Sequence, residues 1–144
     1  MTFPPPMKPD LQPQMSQIST DELNALSQRA IACVFAVHSE LGSGFLEKVY
    51  ENALCVELEK SGLRFETQKP VNVFYSGRLV GEFVCDVLVE GKIILELKSV
   101  KALTDAHAAQ CINYLKATRL PLCLLVNFGE PRARIRRFIN TASR

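Results

Sequence analysis

The sequence predicts an α/β protein, a mixed β-sheet flanked by helices, and three observations carry that prediction. Two apolar stripes at helical spacing open the ordered part of the chain. After Gly62 the pattern switches to short runs rich in β-branched and aromatic residues. A helical segment then returns near Thr104 and is followed by a continuous apolar run opened by Pro121. Helices on either side of a run of strands suit a sheet with helical layers and exclude a helical bundle or a sandwich.

The elements follow in order. Residues 1–18 contain five of the eight prolines and little that could build a core, so they are expected to be a disordered tail ahead of one domain spanning 19–144. Ser19-Thr20-Asp21-Glu22 has the form of a capping box, in which the cap and the third helical residue satisfy each other's backbone donors. The helix it starts carries Leu23, Leu26, Ala30, Val34, Val37 and Leu41 on one stripe and stops at Gly42 and Gly44. A second helix is expected over about 45–61, with Leu46, Val49, Ala53, Leu54, Val56 and Leu58 as its apolar set. Strands are expected at 64–68, 71–75, 79–89 and 93–100, joined by turns at Ser76-Gly77 and Glu90-Gly91. A third helix runs from Thr104 or Asp105 to about Thr118, and strands at 122–128 and 133–139 close the chain. The predicted order is therefore α-α-β-β-β-β-α-β-β.

Composition sets limits without naming a partner. A length of 144 residues suits one domain, and 47% hydrophobic with 22% charged residues is ordinary for a globular protein. A formal charge of +2 does not by itself announce nucleic acid, which is bound by local patches. Five cysteines stand singly in apolar stretches, which argues against a zinc site and for reduced thiols packed as small hydrophobes. No apolar run is long enough to span a bilayer and no targeting pattern opens the chain, so a cytoplasmic address without membrane attachment is expected.

The segment that demands a chemical explanation is Glu96-Leu97-Lys98, because two charges flank a leucine inside an otherwise apolar strand. Strand geometry points Glu96 and Lys98 to one face and Leu95 and Leu97 to the other. Asp86 sits in the same way within 83–89. If the turn at Gly91 pairs positions whose numbers sum to 182, Asp86 faces Glu96; a sum of 181 sends them to opposite faces. Facing carboxylates repel, and the pair persists when a cation or a proton sits between them. Oxygen ligands without thiolate or imidazole favour Mg²⁺ or Mn²⁺.

This set of residues resembles the core of the PD-(D/E)xK nuclease superfamily, with Asp86 on one strand and Glu96-x-Lys98 on the next. Residues 44–50, GFLEKVY, resemble the signature of the GxxExxY proteins, and Gln110-x-x-x-Tyr114 resembles the helix of the lambda-exonuclease-like and RecB-like branches. Cys85 stands where the superfamily's name has proline, a position that supplies no ligand. The resemblance implies a restriction-endonuclease-like fold and a Mg²⁺-dependent nuclease acting on nucleic acid, with DNA the expected substrate. It implies Asp86, Glu96 and the Leu97 backbone carbonyl as metal ligands, with Glu47 approaching the metal directly or through water. Lys98 would position the attacking water and stabilise the phosphate, and Gln110 and Tyr114 would contact the phosphate or brace Lys98. Arg134 and Arg136, which alternate with Arg132, are candidates for gripping phosphates or for a charged edge strand. His38 and His107 are not expected to be ligands. The rival reading is a non-catalytic nucleic-acid-binding or protein-interaction module that keeps the fold. A domain without an appended recognition element also points to a homodimer or a larger complex.

Overall fold

The computed structural model describes residues 18–140. Ser19 caps the first helix, α1 (Thr20–Leu41), with the reciprocal bonds of a capping box: Glu22 N–H donates to Ser19 Oγ at 3.0 Å and Ser19 N–H to Glu22 Oε1 at 3.1 Å. Ile18, placed in the tail by the sequence, packs against the same cluster as Leu23. The rest of the proposed tail lies outside the described residues. Helix α2 (Glu47–Lys60) follows, then β1 (Phe65–Tyr75), β2 (Arg78–Val89), β3 (Ile93–Lys98), α3 (Asp105–Thr118), β4 (Leu122–Asn127) and β5 (Arg134–Ile139).

The five strands form one sheet in the order β1-β2-β3-β4-β5. Only β3 and β4 run parallel, because α3 supplies the crossover that a parallel pair needs. The other neighbours are antiparallel. Alternate residues of the central strands feed two cores. Ile93, Leu95, Leu97, Leu122, Leu124 and Val126 meet α1 and α2, while Ile94, Cys123 and Leu125 meet α3. A strand buried on both faces reads as a continuous apolar run, which is what β4 does.

Two details depart from the expected elements. The segments 64–68 and 71–75 are one strand rather than two, so five strands stand where six were expected. The interruption near Gln68 is a local reversal: Gln68 has φ 51°, yet the pairing of β1 with β2 resumes in the same register on either side. Phe65 and Val87 face the α1/α2 core, whereas Val71 and Cys85, of the same parity, face α3. The pleat therefore changes face at Gln68 and at the Asp86 opposite it. The buried stripe of α2 is also different, consisting of Tyr50, Glu51, Leu54 and Leu58. Leu46, Val49 and Val56, expected inside, are exposed, Leu46 to 80%. Tyr50 sets this orientation, since its ring stacks on Phe128 with centroids 4.4 Å apart and its hydroxyl donates to the Gly42 carbonyl at 2.5 Å.

The chain leaving β3 is held tightly. Asn127, fully buried, accepts from Val100 N–H (3.0 Å) and Gly129 N–H (3.0 Å) and donates to the Val100 carbonyl (2.9 Å) and Glu130 Oε2 (2.8 Å). Gly129 is obligatory here, because a Cβ would sit 2.3 Å from the Val100 carbonyl oxygen. All five cysteines are free and four are buried. No described helix is long and apolar enough to cross a membrane.

Replacing Asn127 by alanine strands several buried backbone groups at once. We expect a loss of stability on the order of 3 kcal/mol in chemical denaturation, with little change in the denaturant slope. An unchanged midpoint would show that the loop after β3 does not depend on this side chain.

Candidate functional site

The site lies where β2 and β3 separate. Their ladder pairs Val87 with Leu95, Leu88 with Ile94 and Val89 with Ile93, the register whose numbers sum to 182, and it stops there. One step further on, Asp86 and Glu96 would be opposite. In place of a ladder bond, Asp86 Oδ2 accepts from the Leu97 N–H at 2.8 Å, so a carboxylate fills the notch left by the parting strands. A residue's N–H and C=O leave a strand on the same side, so the Leu97 carbonyl also faces this notch.

Glu96 is 3% exposed, and its Oε1 is the one buried side-chain oxygen or nitrogen among the described residues without a hydrogen-bond partner. Its other oxygen lies 3.9 Å from Lys98 Nζ. Lys98 is mostly covered, with its side chain 18% exposed, and so it does not point into bulk solvent. Burial, and then the charge of Asp86, push the Glu96 carboxyl up to about 8, with Lys98 opposing. Asp86 is also raised, chiefly by burial, while the Leu97 N–H pulls it down.

Helix α2 approaches from one side. Glu47 is exposed at its first turn, near enough for its charge to raise both Asp86 and Glu96. It does not complete a cage: among the described residues no group of three or more His, Cys, Asp or Glu side chains is arranged to hold a metal. The pair nonetheless fits a hard cation. Mg²⁺ is commonly held by one or two carboxylates with its other positions left to water and substrate, and the unpartnered Glu96 Oε1 is a donor atom suited to such an ion.

Helix α3 covers the other side. Gln110 Nε2 donates to the Tyr114 hydroxyl at 3.0 Å, which donates to the Val84 carbonyl at 3.0 Å. Gln110 and Tyr114, expected to contact the phosphate or brace Lys98, bond each other and tie α3 to β2 two residues before Asp86. Tyr114 is buried against Phe83, and desolvation followed by the Glu96 charge raises its hydroxyl pKa. Arg134 and Arg136 lie on β5, two strands from β3, opposite Asn127 and Leu125. Arg134 Nε donates to Glu130 Oε1 at 2.9 Å, and the Arg136 guanidinium sits 5.2 Å from the Phe138 ring centre. The structure thus places them along a sheet edge away from the notch. His38 bonds the Glu130 carbonyl through Nε2 at 2.9 Å, and His107 caps α3, donating its N–H to Thr104 Oγ1.

Sequence reasoning missed Glu51. Buried to 6% exposure, it accepts from Gln68 Nε2 at 2.9 Å and pairs with Lys48 at 3.2 Å, and its charge also raises Asp86. The signal was its place one turn after Glu47 and beside Tyr50, on the face that turned out to be the buried one.

An α/β sheet with helices on both faces and two acids plus a lysine at the fork of its central strands defines a restriction-endonuclease-like core. The family model of the PD-(D/E)XK nuclease superfamily matches residues 24–138, and the chain belongs to that superfamily, whose members are typically nucleases. Searches of the curated proteins and of the solved structures gave no significant match.

The raised carboxyl pKa has a measurable consequence. Without divalent cations, folded Glu96 holds its proton to higher pH than in the unfolded chain, where it titrates near 4.5. Its contribution is fully present below that value and is lost as pH rises towards about 8. Thermal melts in chelator should show stability falling across this window. Glu96→Gln should flatten the fall by removing the buried ionisation. Equal slopes for the two proteins would show that Glu96 ionises as freely in the fold as outside it.

Proposed function

We propose that the protein is a Mg²⁺- or Mn²⁺-dependent nuclease that hydrolyses phosphodiester bonds, with DNA as substrate, and that it belongs to the GxxExxY group within its superfamily. The observation that carries the reading is the buried convergence of Asp86, Glu96 and Lys98 at the fork of β2 and β3, with one glutamate oxygen left unpartnered. A metal-free structural ion pair is a poor account of it, because burying two acids against one lysine leaves an uncompensated charge or forces a proton onto Glu96. Membership of a superfamily of nucleases supports the same reading.

Asp86, Glu96 and the Leu97 carbonyl would hold the ion. When bound, the ion supplies Lewis acidity at a phosphoryl oxygen and makes water a stronger acid. The residues of the chain do the remainder. Lys98, held beside Glu96 and screened from bulk water, brings a fixed positive charge to the phosphate and orients the attacking water. Water adds to phosphorus, the bond to a 3′ or 5′ oxygen breaks, and that oxygen takes up a proton. Glu47, exposed at the first turn of α2, would receive a proton through solvent or approach the ion directly or through water. Gln110 and Tyr114 act on this reading as positioning residues, fixing β2 next to Asp86. Arg134 and Arg136, on a separate edge, would at most guide a longer substrate. The single domain expected over 19–144 would serve as one catalytic unit.

The test joins a cleavage assay to a binding readout. Labelled linear, circular and single-stranded DNA, with RNA alongside, should be cut with Mg²⁺ or Mn²⁺ and spared in EDTA. Lys98→Ala should lower the rate on the order of a hundredfold or more. Mg²⁺ should raise the melting temperature of the wild type and leave Glu96→Gln unmoved. Cleavage indifferent to chelator or to Lys98→Ala would overturn the mechanism. DNA binding without cleavage in any condition would instead favour a binding module that keeps the fold.

A further inference from the structure

Among the described residues, Gln68, Ser76, Glu90 and Arg119 carry a positive φ without being glycine. Ser76 and Glu90 stand in the turns between strands and Arg119 ends α3, places where a left-handed residue is ordinary. Gln68, with φ 51°, stands inside a strand. It lies across from Asp86, between the pairs Thr67 with Val87 and Lys69 with Cys85. It is exposed, so burial of its own side chain does not hold it there. An L residue keeps this conformation only where its surroundings over-determine it.

The surrounding group is Glu51. Gln68 Nε2 donates to Glu51 Oε1 at 2.9 Å, while Lys48 Nζ lies 3.2 Å from Glu51 Oε2. Glu51 itself is buried on α2 beside Tyr50 and one turn from Leu54, both fully buried, with the Tyr50 ring stacked on Phe128. The helix is thus fixed to the core, and the carboxylate that leaves it holds a strand residue seventeen positions away. Nothing in the reaction as derived above uses Glu51.

The consequence of this anchor falls on Asp86. A side chain of a regular strand stands roughly perpendicular to the sheet. Asp86 instead accepts the main-chain N–H of Leu97 on the neighbouring strand at 2.8 Å, so its carboxylate leans into the plane of the sheet. The alternation of β2 fails at this residue: Cys85 and Leu88 face α3, whereas Val87 and Val89 face α1 and α2. The left-handed Gln68 is the matching irregularity on the partner strand.

We infer that Glu51 is a positioning residue for Asp86, acting through Gln68: it anchors the left-handed turn of β1 that tips the Asp86 carboxylate into the fork. The anchoring stands on the contacts alone, and only its bearing on catalysis rests on the nuclease reading.

Amide exchange in the metal-free full chain, read residue by residue by NMR, tests the anchor without any cleavage. Strands β2 and β3 stop pairing at Val87 and Leu95, so the Leu97 N–H depends on Asp86 for its acceptor. Glu51→Ala and Gln68→Val should each speed Leu97 exchange by about tenfold or more, the first by removing the anchor, the second because a β-branched residue resists a positive φ. The double variant E51A/Q68G should restore protection, because glycine takes the left-handed conformation unaided. Glu51→Gln, which still offers an oxygen to the Gln68 amide, should keep it. Amides of 122–126 in β4 report overall stability and should hold steady. In Mg²⁺-dependent cleavage the same order should appear in kcat, about tenfold down in E51A and Q68V with KM within about twofold, and recovered in E51A/Q68G.

Leu97 exchange indifferent to E51A and Q68V, a uniform acceleration that includes β4, a glycine that does not rescue, or an E51Q variant as unprotected as E51A would overturn the positioning role. A wild type that cuts nothing would overturn the nuclease reading alone, since the exchange order decides the role of Glu51 by itself.

Discussion

The feature on which the rest of the candidate site depends is the burial of the Glu96 carboxylate at the point where β2 and β3 stop pairing. A strand fully covered on both faces normally carries apolar residues alone, and β3 does so until Glu96. Placing a carboxyl there with one oxygen unpartnered costs stability unless something positive or a proton compensates it. Every other arrangement nearby can be read as coping with that cost. Lys98 supplies a nearby charge, Asp86 occupies the gap by accepting the Leu97 N–H, and α3 seals the far side through Tyr114. The lysine alone does not offset that cost, because Asp86 adds a second acid, and this imbalance makes the fork a poor structural joint.

Much of the architecture could be read from the letters. The capping box at Ser19, the change of period after Gly62 and the helical return at Thr104 each have a local physical cause, and each stands where expected. The register of β2 and β3 was narrowed to two choices by the turn at Gly91, and the coordinates select the one that brings the acids together. What could not be read depends on packing at a distance. The buried face of α2 is decided by Tyr50 stacking on Phe128, a residue nearly eighty positions away, so the local apolar pattern pointed to Leu46, Val49 and Val56 instead. That same rotation brings Glu51 inside and leaves Glu47 at the rim.

The break at Gln68 was invisible for another reason. Lys69-Pro70 is a strong local signal for ending a strand, and reading two strands there is reasonable. Proline is tolerated because β1 is an edge strand, and the pairing with β2 carries straight through it. The basic residues of β5 show a different limit. Their alternation was legible, but alternation alone does not say that β4 lies between them and the fork.

The reversal of the pleat at Gln68 divides the sheet into two regions with different masters. Inward of it, Val87, Leu88 and Val89 of β2 are buried on both faces against the helices. Outward of it, the same strands have exchanged their sides: Val71 and Cys85 pack on α3, and beyond them the pair continues as a two-stranded ribbon, whose twist is steeper than that of a wide sheet. Asp86 sits at the hinge line between the two regimes. The carboxylate that spans the fork therefore stands where a sheet covered on both faces gives way to a hairpin two strands wide.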